Sequence, residues 1–334
     1  MSFFEFYEVD VSKILEVIKE RKPRKVLIQL PEGFKRHYYE VADSIKKELE
    51  YPIDVDVDLS PSYGSCFMDL NMLANYDLVI HLGHDPYPYW QPPSNVVFID
   101  VASRTRISEE TLNKLLKFMN DSKISKVAIY TTAQHKALTR SIADKLLNAG
   151  VNVVNTLEKS VIFGCWFSDL DTVKDLIDAV IVLAGGSFHA LGVGLRINAR
   201  KPVISLDPYM DSFKVMNDEV YKTLKVRLSK VFEAQNAERW LIVGGVAGQY
   251  RPYIIKALTE LIKSLGRRYY YASASYINKE LIVNIDSKNV DAIVITSCPR
   301  IAIEDLRDYH KPILTPGEAF MALKNELNHY RFPF

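Results

Sequence analysis

An α/β fold made of three pseudo-symmetric repeats, each a mainly parallel sheet flanked by helices, is predicted by three observations. Short apolar and β-branched runs recur along the 334 residues, amphipathic helical stretches alternate with them, and the runs repeat at matched offsets. One set of strands covers residues 25–30, 126–131 and 239–244, each opening on a basic residue; a second covers 77–82, 178–183 and 291–296, each opening on Asp. Lys25 to Lys126 and Asp77 to Asp178 are both 101 residues, while Lys126 to Arg239 and Asp178 to Asp291 are both 113. A single large doubly wound sheet is the alternative, since buried parallel strands resemble one another. It leaves the matched offsets unexplained.

Taken in order, the first unit (residues 1–122) holds strand 25–30, a helix near 38–49, strand 53–59, strand 77–82 and strand 96–100. Helix 108–119 follows, with Ser108 as its N-cap and Glu109 and Glu110 in its first turn. The second unit (123–235) repeats the pattern with strand 126–131, helix 137–147 ahead of Gly150, strand 151–154, strand 178–183, strand 202–206 and a long helix over 213–234. In the third (236–334), strand 239–244 precedes a helix over 252–265. Its Ile254, Ile255, Leu258, Leu261, Ile262 and Leu265 fall on a 3.6-residue period, and Gly266 stops it. Strands 291–296 and 312–315 close the unit.

Composition narrows the function classes. With 42 Lys+Arg against 41 Asp+Glu the net charge is +1, which excludes binding of nucleic acid or membrane through bulk positive charge. A chain 48% hydrophobic and 25% charged is ordinary for a globular protein. The start of the chain mixes acids with aromatics where a signal peptide needs a basic then an apolar stretch, and apolar runs such as 179–184 fall far short of the ~20 residues that span a bilayer. Three cysteines, an odd and sparse set, argue against a secreted disulfide framework. A soluble cytoplasmic protein is expected, with no membrane or direct nucleic-acid partner.

Each third of the chain holds one cysteine: Cys66 after strand 53–59, Cys165 after strand 151–154, and Cys298 after strand 291–296. All three fall beyond the carboxyl ends of strands, where open α/β sheets gather ligands. Structural zinc draws on local Cys pairs that this chain lacks. A nucleophilic Cys–His site would use one cysteine and leave two without a task. Three unrelated buried cysteines are the bland reading. Three thiolates on a 4Fe–4S cluster, which normally takes four, would leave one iron open for substrate.

The segments Tyr63-Gly-Ser-Cys66-Phe-Met-Asp69, Phe163-Gly-Cys165, Gly185-Gly-Ser-Phe-His189-Ala-Leu-Gly192 and Ser297-Cys298-Pro-Arg300-Ile-Ala-Ile-Glu-Asp305 together resemble the archaeal-type diphthamide synthases, 2-(3-amino-3-carboxypropyl)histidine synthases. The resemblance runs through all three units. It implies a homodimer whose chains each bind a 4Fe–4S cluster through Cys66, Cys165 and Cys298, with the open iron meeting S-adenosylmethionine. It implies that an electron from the cluster, supplied by an unidentified donor, breaks the bond from sulfur to the γ-carbon. The 3-amino-3-carboxypropyl group then passes to a histidine of translation elongation factor 2, and methylthioadenosine leaves. In one respect the chain departs from the family, which often has two adjacent cysteines where this chain has Cys66 followed by Phe67. Some relatives pair with a non-catalytic paralogue, a role the three intact cysteines argue against. Quinolinate synthase, a dehydrating and condensing cluster enzyme with three similar units, is the rival enzyme.

Around the cluster, Arg300 offers a fork for the cofactor carboxylate and Asp305 an acceptor for its ammonium, against the alternative of a surface ion pair. Gly185, Gly186 and Gly192 would let backbone approach the ligand, and His189 is a contact to cofactor or substrate if backbone does not satisfy it. Gly244-Gly-Val-Ala-Gly248-Gln249 is a poor dinucleotide fingerprint; the resemblance places Gln249 near the cofactor instead. His81-Leu-Gly-His84 has metal-like spacing without a third ligand and reads as a loop at a strand end. Tyr87-Pro-Tyr89-Trp90 reads as a packed loop, and Arg267-Arg268 as a solvated helix end.

Overall fold

A computed structural model describes residues 2–49 and 51–334. Its strands are β1 (Tyr7–Val9), β2 (Lys25–Gln29), β3 (Asp54–Asp58), β4 (Leu78–Leu82), β5 (Val96–Ile99) and β6 (Val101–Ser103) in the first third. The second third holds β7 (Lys126–Thr131), β8 (Asn152–Val153), β9 (Ala179–Leu183), β10 (Val203–Asp207) and β11 (Ser212–Val215). The last holds β12 (Arg239–Gly244), β13 (Arg268–Ser273), β14 (Ala292–Ile295) and β15 (Ile313–Leu314). They form three separate parallel sheets with one strand order: β3-β2-β4-β5, β8-β7-β9-β10 and β13-β12-β14-β15. β11 adds an antiparallel edge to β10, and β1 pairs with β6 in a short ribbon.

The repeated aspartates have a physical task. Asp77 Oδ2 accepts the backbone N–H groups of Arg24 at 2.8 Å and Lys25 at 2.9 Å. Asp178 Oδ2 does the same for Ser125 and Lys126, both at 2.9 Å, and Asp291 Oδ2 for Glu238 at 3.1 Å and Arg239 at 2.9 Å. Each aspartate also donates its own N–H to the carbonyl of Lys25, Lys126 or Arg239. The side chain thereby satisfies the first strand's leading amides, which the sheet leaves unpaired. Backbone donors hold the carboxyls of Asp77 and Asp178 below the usual carboxylate range.

Flanking helices follow the apolar periodicity. Glu109–Asp121 is capped by Ser108, whose hydroxyl accepts the Thr111 N–H at 3.1 Å. Lys136–Asn148 and Pro252–Ser264 end near Gly150 (φ 83°) and Gly266 (φ 72°), which take up left-handed backbone at little cost. Three expectations need correction. The long helix begins at Asn217 rather than 213, because residues 212–215 pair with β10. Helix Tyr38–Lys46 is shorter than residues 38–49. β13 has no counterpart among the expected strands: it lies at a sheet edge and its run Arg-Tyr-Tyr-Tyr-Ala-Ser is mostly exposed, so it lacks the apolar signature of a buried strand. Among the described residues no helix is long and apolar enough to cross a membrane.

A buried ion pair ties the second third to the last. Arg227, on helix Asn217–Ala234, meets both carboxylate oxygens of Glu318 at 2.7 Å and donates to the carbonyls of Ala302 (2.8 Å) and Ile313 (2.6 Å). Tyr330 donates to Glu318 at 2.6 Å, so the carboxylate is fully engaged. The Arg227 and Glu318 side chains are 1% and 0% exposed, and a charge stranded there would be strongly penalised. Ala302 lies in the helical turn after Cys298, so this pair also anchors the segment that carries that thiol. Glu318→Ala is expected to cost about 3–5 kcal/mol, seen as a lower urea midpoint, whereas removing the exposed Lys114–Glu110 pair by Lys114→Ala should leave the midpoint nearly unchanged.

Candidate functional site

The carboxyl ends of the three sheets meet at a cavity of about 530 Å3, and Cys66, Cys165 and Cys298 all line it. None is in a disulfide. Local structure presents each thiol differently. Cys165 sits in a tight turn closed by Phe163 N–H to Trp166 O at 2.9 Å. Gly164 is required there, since a Cβ would lie 2.0 Å from the Phe188 ring. Cys66 lies in a loop against which Gly248 packs, with its absent Cβ only 2.8 Å from the Cys66 carbonyl oxygen. Gly248 thus serves close backbone approach to Cys66, while Gly244 packs against Tyr271 and Gly245 against Gln249 and Ser297. Cys298 ends the β14 loop, its carbonyl accepting the Ile301 N–H at 3.2 Å.

Burial pushes the Cys66 thiol up to about 11, and the nearby Cys165 adds to the shift. Cys165 is raised by burial, and Cys298 is raised by burial and by both other cysteines. Left alone, these thiols stay protonated at neutral pH. Arg251 opposes that at Cys66 and Cys165, and Arg300 opposes it at Cys298. Arg251 donates to the Tyr87 hydroxyl at 2.6 Å and stands 4.0 Å from Cys165 Sγ, while the Tyr87 hydroxyl lies 3.2 Å from the same sulfur. Its guanidinium sits 4.0 Å over the Phe334 ring, and its buried Nε has no hydrogen-bond partner. Among the described residues no carboxylate lies within ion-pair distance of Arg251. This cation faces thiols instead.

Of the other expected residues, Gly185, Gly186, His189 and Arg300 line the same cavity. Gly186 takes φ 72° and donates its N–H to Asp207 at 2.9 Å. A Cβ on Gly185 would meet the Tyr209 ring at 2.6 Å. Gln249 donates to Cys66 Sγ at 3.6 Å and lines an adjoining pocket of about 240 Å3 with Asp305, Cys298 and Arg300. Arg300 bonds Glu304 at 3.1 Å, meets Asp305 at 3.6 Å and lies 5.2 Å over the Tyr63 ring. Gly192 requires correction. It lies within helix Phe188–Arg196 and lines neither pocket, and a Cβ there would lie 3.3 Å from the Phe167 ring, so its small size serves helix packing. His189 belongs to that helix as well.

Sequence reasoning missed Arg251 as the cation of the site and took Tyr87 for a packing residue. It also missed His135, which lines the cavity with Nδ1 buried and unpartnered. His84 lines it as well. Burial holds His84, His135 and His189 down at about 4, so the cavity's imidazoles are neutral at pH 7.

A fit to a metal can be judged from these side chains. No three His, Cys, Asp or Glu groups among the described residues converge as a single ion requires. A multi-iron cluster interposes iron and sulfide between its thiolates and accepts a wider triangle. Three thiols beside a cation that has no carboxylate partner among the described residues suit an anionic, thiolate-ligated cluster.

Residues 30–332 match the family model described as "Putative diphthamide synthesis protein". The chain belongs to the diphthamide synthesis family. Among its relatives, the 2-(3-amino-3-carboxypropyl)histidine synthase of Pyrococcus horikoshii is 28% identical over 331 residues, covering 95% of this chain and 91% of that one. That of Methanocaldococcus jannaschii is 27% identical, covering 96% and 90%. Subunit 1 of the Kluyveromyces lactis synthase is 27% identical over 96% of this chain and 76% of its own length. The crystal structure of Dph2 from Pyrococcus horikoshii with a 4Fe–4S cluster superposes with a TM-score of 0.80 at 25% identity, covering 98% of this chain and 94% of that one.

Arg251, a buried cation without a carboxylate partner among the described residues, gives this family member a testable signature. In metal-free protein Arg251→Met removes an unpaired charge and is expected to raise the urea midpoint. Tyr87→Phe strands the guanidinium further and should lower stability by about 1–3 kcal/mol.

Proposed function

We propose that this chain is a 4Fe–4S enzyme that cleaves S-adenosylmethionine and transfers its 3-amino-3-carboxypropyl group to a histidine of elongation factor 2. The product accompanying transfer is methylthioadenosine, and the step is the first of diphthamide biosynthesis. One observation carries the reading: three thiols from three parallel sheets line one cavity beside a guanidinium that has no carboxylate partner among the described residues, in a chain of this family. The family match selects this transferase over the quinolinate synthase-type alternative.

In this reading Cys66, Cys165 and Cys298 hold the cluster, and residues 1–122, 123–235 and 236–334 are pseudo-symmetric units that supply one thiolate each. The shared strand order of the three sheets supports it. When bound, the cluster supplies the electron that reduces the sulfonium of the cosubstrate. The chain's own residues do the rest. Arg251 offsets the negative charge of the thiolates, and Tyr87 keeps it beside Cys165. Arg300 receives the cosubstrate carboxylate once Glu304 yields, and Asp305 accepts its ammonium, across the two pockets that share Arg300. Gly185 and Gly186 let backbone approach the ligand, with His189 and Gln249 as further contacts; Gly192 has no part. The low net charge leaves docking of elongation factor 2 to shape and local contacts. A cytoplasmic homodimer served by an as yet unidentified electron donor completes the proposal.

Protein prepared without oxygen is expected to be brown and to hold about four irons per chain. After reduction, incubation with S-adenosylmethionine and elongation factor 2 should release methylthioadenosine and give a heavier factor by mass spectrometry. Release of 5′-deoxyadenosine instead would refute the bond assignment. Alanine at Cys66, Cys165 or Cys298 should abolish iron retention or turnover, and full activity in any one variant removes that residue from the site.

A further inference from the structure

His81 and His84, spaced like a metal-binding pair, bond to each other instead. His81 Nε2 lies 2.9 Å from His84 Nδ1, and His81 Nδ1 lies 3.1 Å from Gln29 Oε1. Gln29 Nε2 in turn donates to Asp58 Oδ2 at 2.9 Å. Asp58, Gln29 and His81 are 6%, 4% and 0% exposed, so this chain of bonds runs through the interior of the first sheet, across β3, β2 and β4.

The direction of every proton follows from the far end. Asp58 accepts through both oxygens, taking the Ser60 N–H at 2.8 Å as well as the Gln29 amide. Gln29 therefore points its nitrogen at Asp58 and its carbonyl oxygen at His81. His81 Nδ1 must then carry a hydrogen. Burial and the adjacent His84 hold His81 well below the usual imidazole range, so the ring is neutral and its Nε2 is a lone pair. His84 Nδ1 donates to that lone pair. What remains is a bare Nε2 on His84, in a ring that lines the cavity. The network thus assigns one tautomer to each histidine.

The reaction proposed above requires an acceptor for a proton. Its product carries the aminocarboxypropyl group at position 2 of histidine, as in the name of the relatives. Forming that carbon–carbon bond breaks the sulfonium's sulfur–carbon bond and the ring's carbon–hydrogen bond. Sulfur departs as a neutral thioether, the hydrogen departs as one proton, and no net electron is consumed. We propose that Nε2 of His84 takes this proton from the substrate imidazole, and that His81, Gln29 and Asp58 are positioning residues that hold His84 in the accepting tautomer. As imidazolium, His84 keeps its Nδ1 bond to His81, and the Asp58 carboxylate polarises the chain from behind. His135 and His189 also line the cavity, but neither has such a chain behind it among the described residues; His135 Nδ1 is buried without a partner.

This inference rests on the transferase reading, and the test separates the two. His84→Ala is loaded with its cluster anaerobically and assayed for transfer to elongation factor 2 with and without added imidazole. The expected result is wild-type iron content, transfer slowed by about 100-fold or more, and partial recovery of rate by imidazole. Transfer at the wild-type rate, or a loss that imidazole leaves unmended in fully iron-loaded protein, overturns the proposal. Should His84→Ala shed its iron, Gln29→Met decides the matter by freeing the His81 tautomer from outside the cavity. It should lower kcat with KM for the factor unchanged, and an unchanged kcat overturns the proposal. Wild-type enzyme that releases no methylthioadenosine defeats the transferase reading itself, before any variant is compared.

Discussion

Parallel pairing governs this molecule. Strands that run the same way must be joined by crossovers, so every sheet places its strand starts at one end and its ligand-facing loops at the other. Here that rule operates three times. At the starting ends Asp77, Asp178 and Asp291 take up the leading amides of β2, β7 and β12. At the opposite ends the loops of β3, β8 and β14 bring Cys66, Cys165 and Cys298 to one cavity. The thiols are remote in sequence, and only three sheets turned toward a common centre bring them together.

Holding the sheets in that relation falls to close packing and one ion pair. Gly248 and Gly164 allow backbone and ring contacts that a methyl group would block, the first against Cys66 itself. Arg227 and Glu318 fasten the second third to the turn that follows Cys298. A buried pair of this kind contributes little net stability compared with apolar residues of the same shape, yet it is costly to break. Its value here is in fixing position, because Arg227 bonds the Ala302 and Ile313 carbonyls as well as the carboxylate.

Much of this was legible in the sequence. The aspartates and the basic residues at equal offsets reported the repeated sheet, and the cysteines fell beyond strand ends as apolar runs located them. What was not legible came from other parts of the chain. Tyr87 and Arg251 reach Cys165 from 78 and 86 residues away, and no local pattern announces such a meeting. Gly192 misled for a related reason: glycine near a motif looks like room for a ligand, whereas the room is filled by Phe167. β13 escaped because an edge strand rich in exposed tyrosine carries no period-two alternation.

The two sides of the cavity chemistry are electrostatically distinct, and the distinction has a consequence for folding. The imidazoles are made neutral by burial and need no countercharge. Arg251 cannot take that escape, because a guanidinium keeps its proton. With no carboxylate partner among the described residues, it is held by the Tyr87 hydroxyl and the Phe334 ring, and it gains further when the thiols it faces, which burial alone keeps protonated, become anions. Ligation of a metal cluster deprotonates thiols outright. If Cys66, Cys165 and Cys298 hold the cluster as proposed, the cation and the thiolates compensate one another, and binding of the cluster would be coupled to the stability of the loops that position it.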